Sequence, residues 1–147
     1  MPTLLKPDSE LVTQAWLATL PGFSSAMVAS LLPTDTSTWQ ASGFLTTTVA
    51  GGTPGMYLPV RGPLVQVDCW AVKPGAQRPP RNHASQLAQA VVAGCYAAKP
   101  VTLTVKSGYG TARVMSVWPT MEPRRLYSDE SSYARMQLDL RLDWTAT

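Results

Sequence analysis

Charged residues are scarce in this sequence. Only 14% of its 147 residues are charged, and Lys and Arg exceed Asp and Glu by three. The basic residues are scattered, with no run longer than Arg124-Arg125, whereas a dedicated nucleic-acid binder concentrates its basic residues on one face. Low charge combined with 45% apolar residues indicates a folded domain whose surface is partly covered by a partner.

Histidine and cysteine are almost missing. The one histidine is His83, and the two cysteines, Cys69 and Cys95, form no C-x-x-C motif. Zinc sites draw on several such ligands, so we expect no metal site and two reduced, buried thiols. The N-terminus lacks the charged start and apolar core of a secretion signal, and no apolar stretch reaches the ~18 residues of a membrane span. We therefore expect no membrane association and a cytoplasm-like environment.

Recognisable enzyme motifs are also missing. The string "GGTPG" from Gly51 to Gly55 lacks the Lys-Ser/Thr of a P-loop and is followed by no helical pattern. The sequence contains no G-x-S-x-G motif whose serine His83 could activate as a general base. We expect neither catalysis nor a cofactor, and a small enzyme with a site near His83 and Cys95 remains the less favoured alternative.

What the sequence does contain is regular periodicity. Asp8-Ser9-Glu10 precedes apolar residues spaced at three and four, and Asn82 precedes a second such stripe, so both segments predict capped amphipathic helices. The run "AMVASLL" at residues 26–32 is short and bounded by breakers, which favours a strand.

Strand signals are more numerous than helix signals. The string "GFLTTTVAGG" and the alternating residues from Pro63 predict two strands, "VTLTVKSGYGTARVMSVWPT" predicts a hairpin, and "YARMQLDLRLDW" alternates most strictly. With two helices to cover one sheet face, the order predicts an α+β fold. We expect one domain over residues 1–147, a two-layer, mostly antiparallel mixed sheet with two helices packed on one face.

The last strand predicts a polar sheet face. Arg135, Gln137, Asp139, Arg141 and Asp143 alternate with apolar residues and carry both signs of charge. Such a face fits cross-strand or intersubunit ion pairs better than paired catalytic carboxylates.

Two long loops, Gly51 to Gly62 and Pro119 to Ser132, are candidates for function because long loops on a small scaffold usually carry it. The loop "KPGAQRPPRN" is a third candidate contact surface. Arg and aromatic residues are enriched at interface centres. On this basis we expect interaction roles for Tyr57, Arg61, Arg78, Arg81, Arg124, Arg125, Tyr127, Arg141 and Asp143.

Several strings together resemble a known family. They are "TTTVAGG", "PLVQVDCWA", "ASQLAQAVVAG" and the late "PRRLYSDESSYARMQLDLRLDW", and they span about Leu45 to Trp144. In this order they resemble the tail terminator (tail completion) proteins of long-tailed, siphovirus-like bacteriophages. The chain departs from that family in its proline-rich "KPGAQRPPRN" loop and "TPGMYLPVRG" arm.

The resemblance implies a structural virion protein at the neck end of the tail, assembled in the host cytoplasm. Six copies would form a ring that caps the tail tube, stops its polymerisation and offers a joining surface to the head connector. The implied partners are further copies of the chain, the tail tube protein and the head-tail connector or head completion protein. DNA would pass through the lumen without specific binding, with the polar sheet face lining that lumen or meeting the next subunit. The alternative is another head-tail connector or neck component.

Overall fold

A computed structural model describes residues 7–54, 59–75, 78–126 and 132–147. The fold is α+β, with two helices and one mixed sheet, as the sequence predicts, and the sheet curls into a half-barrel. In chain order the elements are α1 (Ser9–Ala18), β1 (Val28–Ala29), β2 (Phe44–Pro54), β3 (Arg61–Val72), α2 (Arg81–Ala97), β4 (Val101–Thr104), β5 (Thr111–Pro119), β6 (Arg124–Leu126) and β7 (Tyr133–Ala146).

The strands lie in the order β1-β2-β3-β7-β5-β4. All neighbours are antiparallel except β1 and β2, which are parallel. The short strand β6 also pairs with β7, next to residues 135–137, where β5 has already ended. The long central strands β3 and β7 therefore organise the sheet.

The alternating residues of β3 and β7 form the core. Val65 lies opposite Leu140 and Val67 opposite Leu138, and all four side chains are fully buried. Successive residues of a strand point to opposite faces, so the period-two patterns place these apolar side chains on one face. This confirms the predicted core face, to which β5 adds Val114 and Val117.

The two helices cover this core face. The Asp8 carboxylate caps α1 by accepting a hydrogen bond from the Leu11 backbone N at 2.8 Å, as predicted. The buried stripe of α2 comprises Ala84, Leu87, Ala88, Val91 and Cys95.

The predicted cap of α2 is wrong. The helix begins at Arg81, directly after Pro80, and has no side-chain cap. Proline fixes φ near the helical value and suits helix starts, so the Pro79-Pro80 pair starts the helix one residue before Asn82. Asn82 consequently lies within the first turn rather than ahead of it.

Three loop and strand boundaries also differ from the sequence expectation. The run at residues 26–32 holds only the two-residue strand β1, after a 3₁₀ turn at Ser25–Met27. The expected loop from Gly51 to Gly62 is largely a hairpin, because β2 continues to Pro54 and β3 starts at Arg61. The expected loop from Pro119 to Ser132 contains β6, because β7 extends far enough to pair with it, so four strands rather than three follow α2.

A second, aromatic cluster lies on the opposite sheet face. Trp39 packs against Phe44 and Tyr133 with ring centroids 6.1 Å apart, and Tyr133 meets Trp70 edge to face at 6.5 Å. Trp39 is 2% exposed and donates its Nε1 hydrogen to the Pro33 carbonyl. The segment between β1 and β2 thus covers one end of this face, so Trp70 is half-buried rather than free on the surface.

Removing the α1 cap gives a small, measurable effect. Asp8→Ala should lower the free energy of unfolding by about 1 kcal/mol, because the Leu11 N–H loses its acceptor. Urea unfolding followed by circular dichroism measures this. Asp8→Asn retains a capping oxygen and should recover most of the loss, and equal losses in both variants would contradict the cap.

Candidate interaction surface

The two long hairpins end at opposite ends of the sheet. In the first, Pro54 pairs with Arg61, which also lies opposite Trp144 near the end of β7. In the second, Leu126 pairs with Arg135 close to the start of β7. Arg135 lies opposite Trp70 of β3, nine residues from Arg61, and at about 3.3 Å per residue this separates the hairpin ends by roughly 30 Å. The described ends of the two predicted functional loops therefore lie at opposite ends of the sheet.

Arg61 begins β3, at the loop end of the β2–β3 hairpin. Its guanidinium carbon is 5.2 Å from the centroid of the Trp144 ring, within the range of a cation–π contact. Trp144 is itself buried and donates its Nε1 hydrogen to Ser9 Oγ at 3.0 Å. The predicted contact residue Tyr57 lies outside the described residues.

Arg124 and Arg125 lie on β6 and pair with Gln137 and Met136 of β7. They are exposed neighbours in a strand, so their side chains point to opposite faces. Arg124 lies opposite Gln137 and donates to its Oε1, on the polar sheet face. Arg125 turns to the face covered by α2. Tyr127 lies outside the described residues.

The polar sheet face contains a buried network that joins three strands. Asp68 of β3 is 7% exposed, forms an ion pair with Arg135 of β7 at 2.9 Å and accepts from Gln137 Nε2 at 2.9 Å. The Arg135 guanidinium also lies 4.8 Å from the Trp70 ring centroid. Through Gln137 the network reaches Arg124 on β6, so it fixes the hairpin to the centre of the sheet.

Arg141 and Asp143 lie on the same face, toward its other end. The exposed guanidinium of Arg141 lies 5.7 Å from the ring centroid of Trp118, whose side chain is 40% exposed. Asp143 Oδ2 accepts a hydrogen bond from Ser116 Oγ at 3.3 Å. This part of the sheet face carries both signs of charge together with an exposed aromatic ring, a combination suited to a protein interface.

Arg78 and Arg81 are exposed at the start of α2. Arg81 and Arg125 line one small cavity, together with apolar side chains that include Leu126 and Met136. Its volume is about 40 Å³, so it holds only a few water molecules. The fold thus brings together the predicted residues Arg81 and Arg125, whereas Arg61 lies at the far end of the sheet.

His83 and Cys95 do not form a catalytic pair. Both lie on α2, and twelve residues of helix separate them by roughly 18 Å. Burial raises the pKa of the Cys95 thiol to about 12, and burial followed by the charge of Asp68 raises the pKa of Cys69 as well. Both thiols are therefore protonated at neutral pH and poorly nucleophilic.

The described ranges contain neither a metal-ligand cluster nor a membrane-spanning helix. Among residues 7–54, 59–75, 78–126 and 132–147, no group of three or more His, Cys, Asp or Glu is arranged to hold a metal ion. Within those same ranges, no helix is long and apolar enough to cross a membrane.

The Asp68 network is the feature that sequence reasoning missed. Asp68 alternates with apolar residues in β3, and this pattern predicts that its side chain lies on the polar sheet face. It does not predict which residue pairs with the carboxylate. Arg135 and Gln137 stand 67 and 69 residues later, and only the strand register brings them together. An acid in the middle of an apolar strand is the signal that points to such a partner, because a buried charge has to be paired.

The comparisons with known proteins concern the fold. No protein-family model matches the chain, and no curated protein matches it. A solved structure, described as the virion of a native gene transfer agent particle, contains a chain of similar fold, with a TM-score of 0.51 and 14% identity. The similarity covers 95% of this chain and 93% of that one, so the two chains share nearly the whole architecture described above.

Proposed function

We propose that the protein is a structural component of a phage-like virion that forms a ring, of six copies, on the end of the tail tube. The ring would cap the tube, end tail polymerisation and provide the joining surface for the head connector. The fold similarity to a virion chain over almost the full length of both chains supports the virion part of this proposal. The family resemblance of the sequence supports the terminator part.

The observation that carries the proposal is the placement of the two hairpins. A tube subunit adds to a growing tail because the exposed end presents the same surface again. A terminator therefore has to match that surface on one side and present a different one on the other. Hairpins at opposite ends of one sheet supply two unlike contact regions about 30 Å apart, with Arg61 on one and Arg124 and Arg125 on the other.

The polar sheet face suits the lumen or the next subunit. Its described side chains include Arg135 and Arg141 but also Asp68, Asp139 and Asp143. Mixed charge gives little net attraction to phosphate, which agrees with DNA passing through without specific binding. Arg78 and Arg81, next to the α2 start, add a contact surface at the β6–β7 end.

Termination in this scheme is geometric and stoichiometric. One ring per tail suffices, and no step requires a nucleophile, a metal or a nucleotide. The separation of His83 from Cys95 by about three turns of α2 argues against the alternative of a small enzyme. The other alternative, a different neck component, shares the fold evidence and differs in its partner, the portal or connector rather than the tail tube.

The decisive experiment deletes the gene and examines tails by electron microscopy. We expect tails of uncontrolled length that fail to join heads. Charge reversal of Arg124 and Arg125 to Glu should impair one of the two steps, and Arg61→Glu should impair the other, because the hairpins lie at opposite ends of the sheet.

The matched control adds negative charge elsewhere. Gln86→Glu with Gln89→Glu changes the exposed side of α2 and should leave tail length and head joining unchanged. Normal tails on filled heads in the deletion strain would refute the terminator role. Tails of normal length that lack heads would favour the other neck component.

A further inference from the structure

The outer edge of β2 is largely open. Its parallel neighbour β1 pairs only with Leu45 and Thr46, and no other described strand lies beside residues 47–54. Strand edges in monomeric proteins are usually protected by charges, by proline or by a covering element. Between Phe44 and Pro54 the sequence contains no charged residue, so this edge offers free backbone donors and acceptors with little to repel a partner strand.

Exposed apolar side chains accompany this edge. Val49 of β2 is 43% exposed, and Leu31, two residues after β1 ends, is 82% exposed. Exposed large apolar residues on a soluble domain mark contact surfaces when they cluster. Exposed apolar side chains therefore lie on β2 and close in sequence to its neighbour β1.

The sheet has a second open edge at β4, at the other end of the strand order. Strand β4 pairs with β5 on one side, and among the described strands none lies on its other side. Tyr96, at the end of α2 just before this strand, is 82% exposed. The two open edges are thus the two ends of the strand order, and each is flanked by exposed apolar surface.

Charge is divided between the two edges. Residues 7–60 contain Asp8, Glu10 and Asp35 but no Lys or Arg, and residues 97–118 contain Lys99, Lys106 and Arg113 but no Asp or Glu. The Glu10 carboxylate lies at the β2 side, where it accepts from Ser30 Oγ and Thr47 Oγ1 at 2.7 and 3.4 Å. Arg113 donates to Thr102 of β4 at 3.1 Å. The charged side chain bonded at the β2 side is therefore an acid, and the one bonded to β4 is a base.

We propose that the open edge of β2 binds the β4 edge of a second copy of this chain. Backbone hydrogen bonds would extend the sheet from one copy to the next. The opposite charges of Glu10 and Arg113 would favour the pairing of unlike edges over that of like edges. A contact between two different surfaces of identical chains is heterologous and closes into a ring where the rotation permits. The inference rests on the proposed ring and names the subunit contact within it.

The test is a directed disulfide between copies. Thr48 and Thr102 are exposed and lie on the polar sheet face, opposite Gln66 and Arg113, so a continued sheet would bring them to the same side. The native thiols Cys69 and Cys95 are buried and will not compete. Upon mild oxidation, the double variant Thr48→Cys/Thr102→Cys should give a ladder of linked chains up to the full ring on a non-reducing gel.

A second pair covers a different register of the two strands. Thr48→Cys/Thr104→Cys places the thiol two residues further along β4, and at least one of the pairs should form the ladder. The matched control is Gln66→Cys/Thr102→Cys, because β3 is a central strand with partners on both sides. This control should stay unlinked.

The outcomes separate this inference from the proposed function. The molar mass of the unoxidised protein is first measured by light scattering, which shows whether rings form. If rings form but neither pair links, the edge contact is wrong and the ring proposal stands. If Thr48→Cys alone links to itself, the edges pair symmetrically and the inference is overturned. A protein that remains monomeric at every concentration, alone and with tail tube protein, overturns both proposals.

Discussion

Gly52→Ala should lower the free energy of unfolding by about 2 to 6 kcal/mol. The residue has φ of +99°, and an added Cβ would lie 2.4 Å from the Gly62 carbonyl oxygen and 2.6 Å from Pro63 Cα. Both contacts are with backbone atoms, so no side-chain rotation relieves them. Backbone strain of about 1 to 3 kcal/mol adds to an overpacking cost of similar size.

Gly51→Ala is the matched control for this prediction. A Cβ at Gly51 meets nothing within 4 Å, and its φ lies outside the positive range. The free energy of unfolding should therefore change by less than about 0.5 kcal/mol. Urea unfolding of both variants makes the comparison, and similar values for the two would show that the β2–β3 hairpin does not require the tight backbone approach at Gly52.

The core was predictable from the sequence because its signal is local. In β3 and β7, side chains alternate between faces, so the period of two identifies Val65, Val67, Leu138 and Leu140 as one buried set without knowledge of the register. The α1 cap was predictable for the same reason, since Asp8 and the N–H that it accepts from are three residues apart.

The parts that the sequence did not reveal depend on long-range pairing. Strand β6 has three residues and no periodicity of its own, and it is a strand only because β7 extends beside it. The opposite placement of the two hairpins follows from the antiparallel register of β2, β3 and β7, which no local pattern encodes. Sequence reasoning therefore identified the two loops as candidates but could not show that their hairpins lie at opposite ends of the sheet.

The scarcity of charge has a structural meaning that composition alone did not give. Of the few charges, Glu10 lies on the β1–β2 side and Arg113 on the β4–β5 side. Those in the middle of the polar face are paired internally through Asp68 and Arg135. Composition could indicate a covered surface, but only the strand order shows which edges are open to be covered.

Asp68→Ala should lower the free energy of unfolding by about 2 to 4 kcal/mol. Breaking a buried ion pair costs about 3 to 5 kcal/mol because the remaining charge stays buried without a partner. Here the Arg135 side chain retains 31% exposure, so water compensates part of the loss. Gln137 Nε2 also loses its acceptor, which adds to the cost because Gln137 is only 3% exposed.

The same substitution should also release the β6–β7 hairpin from the sheet. Gln137 joins Asp68 to Arg124, so without the carboxylate the bonds that hold β6 lose their anchor. Amide hydrogen exchange of residues 124–126 should then accelerate more than that of β5, which pairs with β7 independently of the network. Asp139→Ala is the control. Asp139 lies half-buried on the same polar face of the sheet, on β7, and its substitution should change the free energy of unfolding by less than about 0.5 kcal/mol. If Asp68→Ala and Asp139→Ala behaved alike in both measurements, the network would not be what fixes the hairpin, and its rigidity would have to come from the backbone pairing of β6 alone.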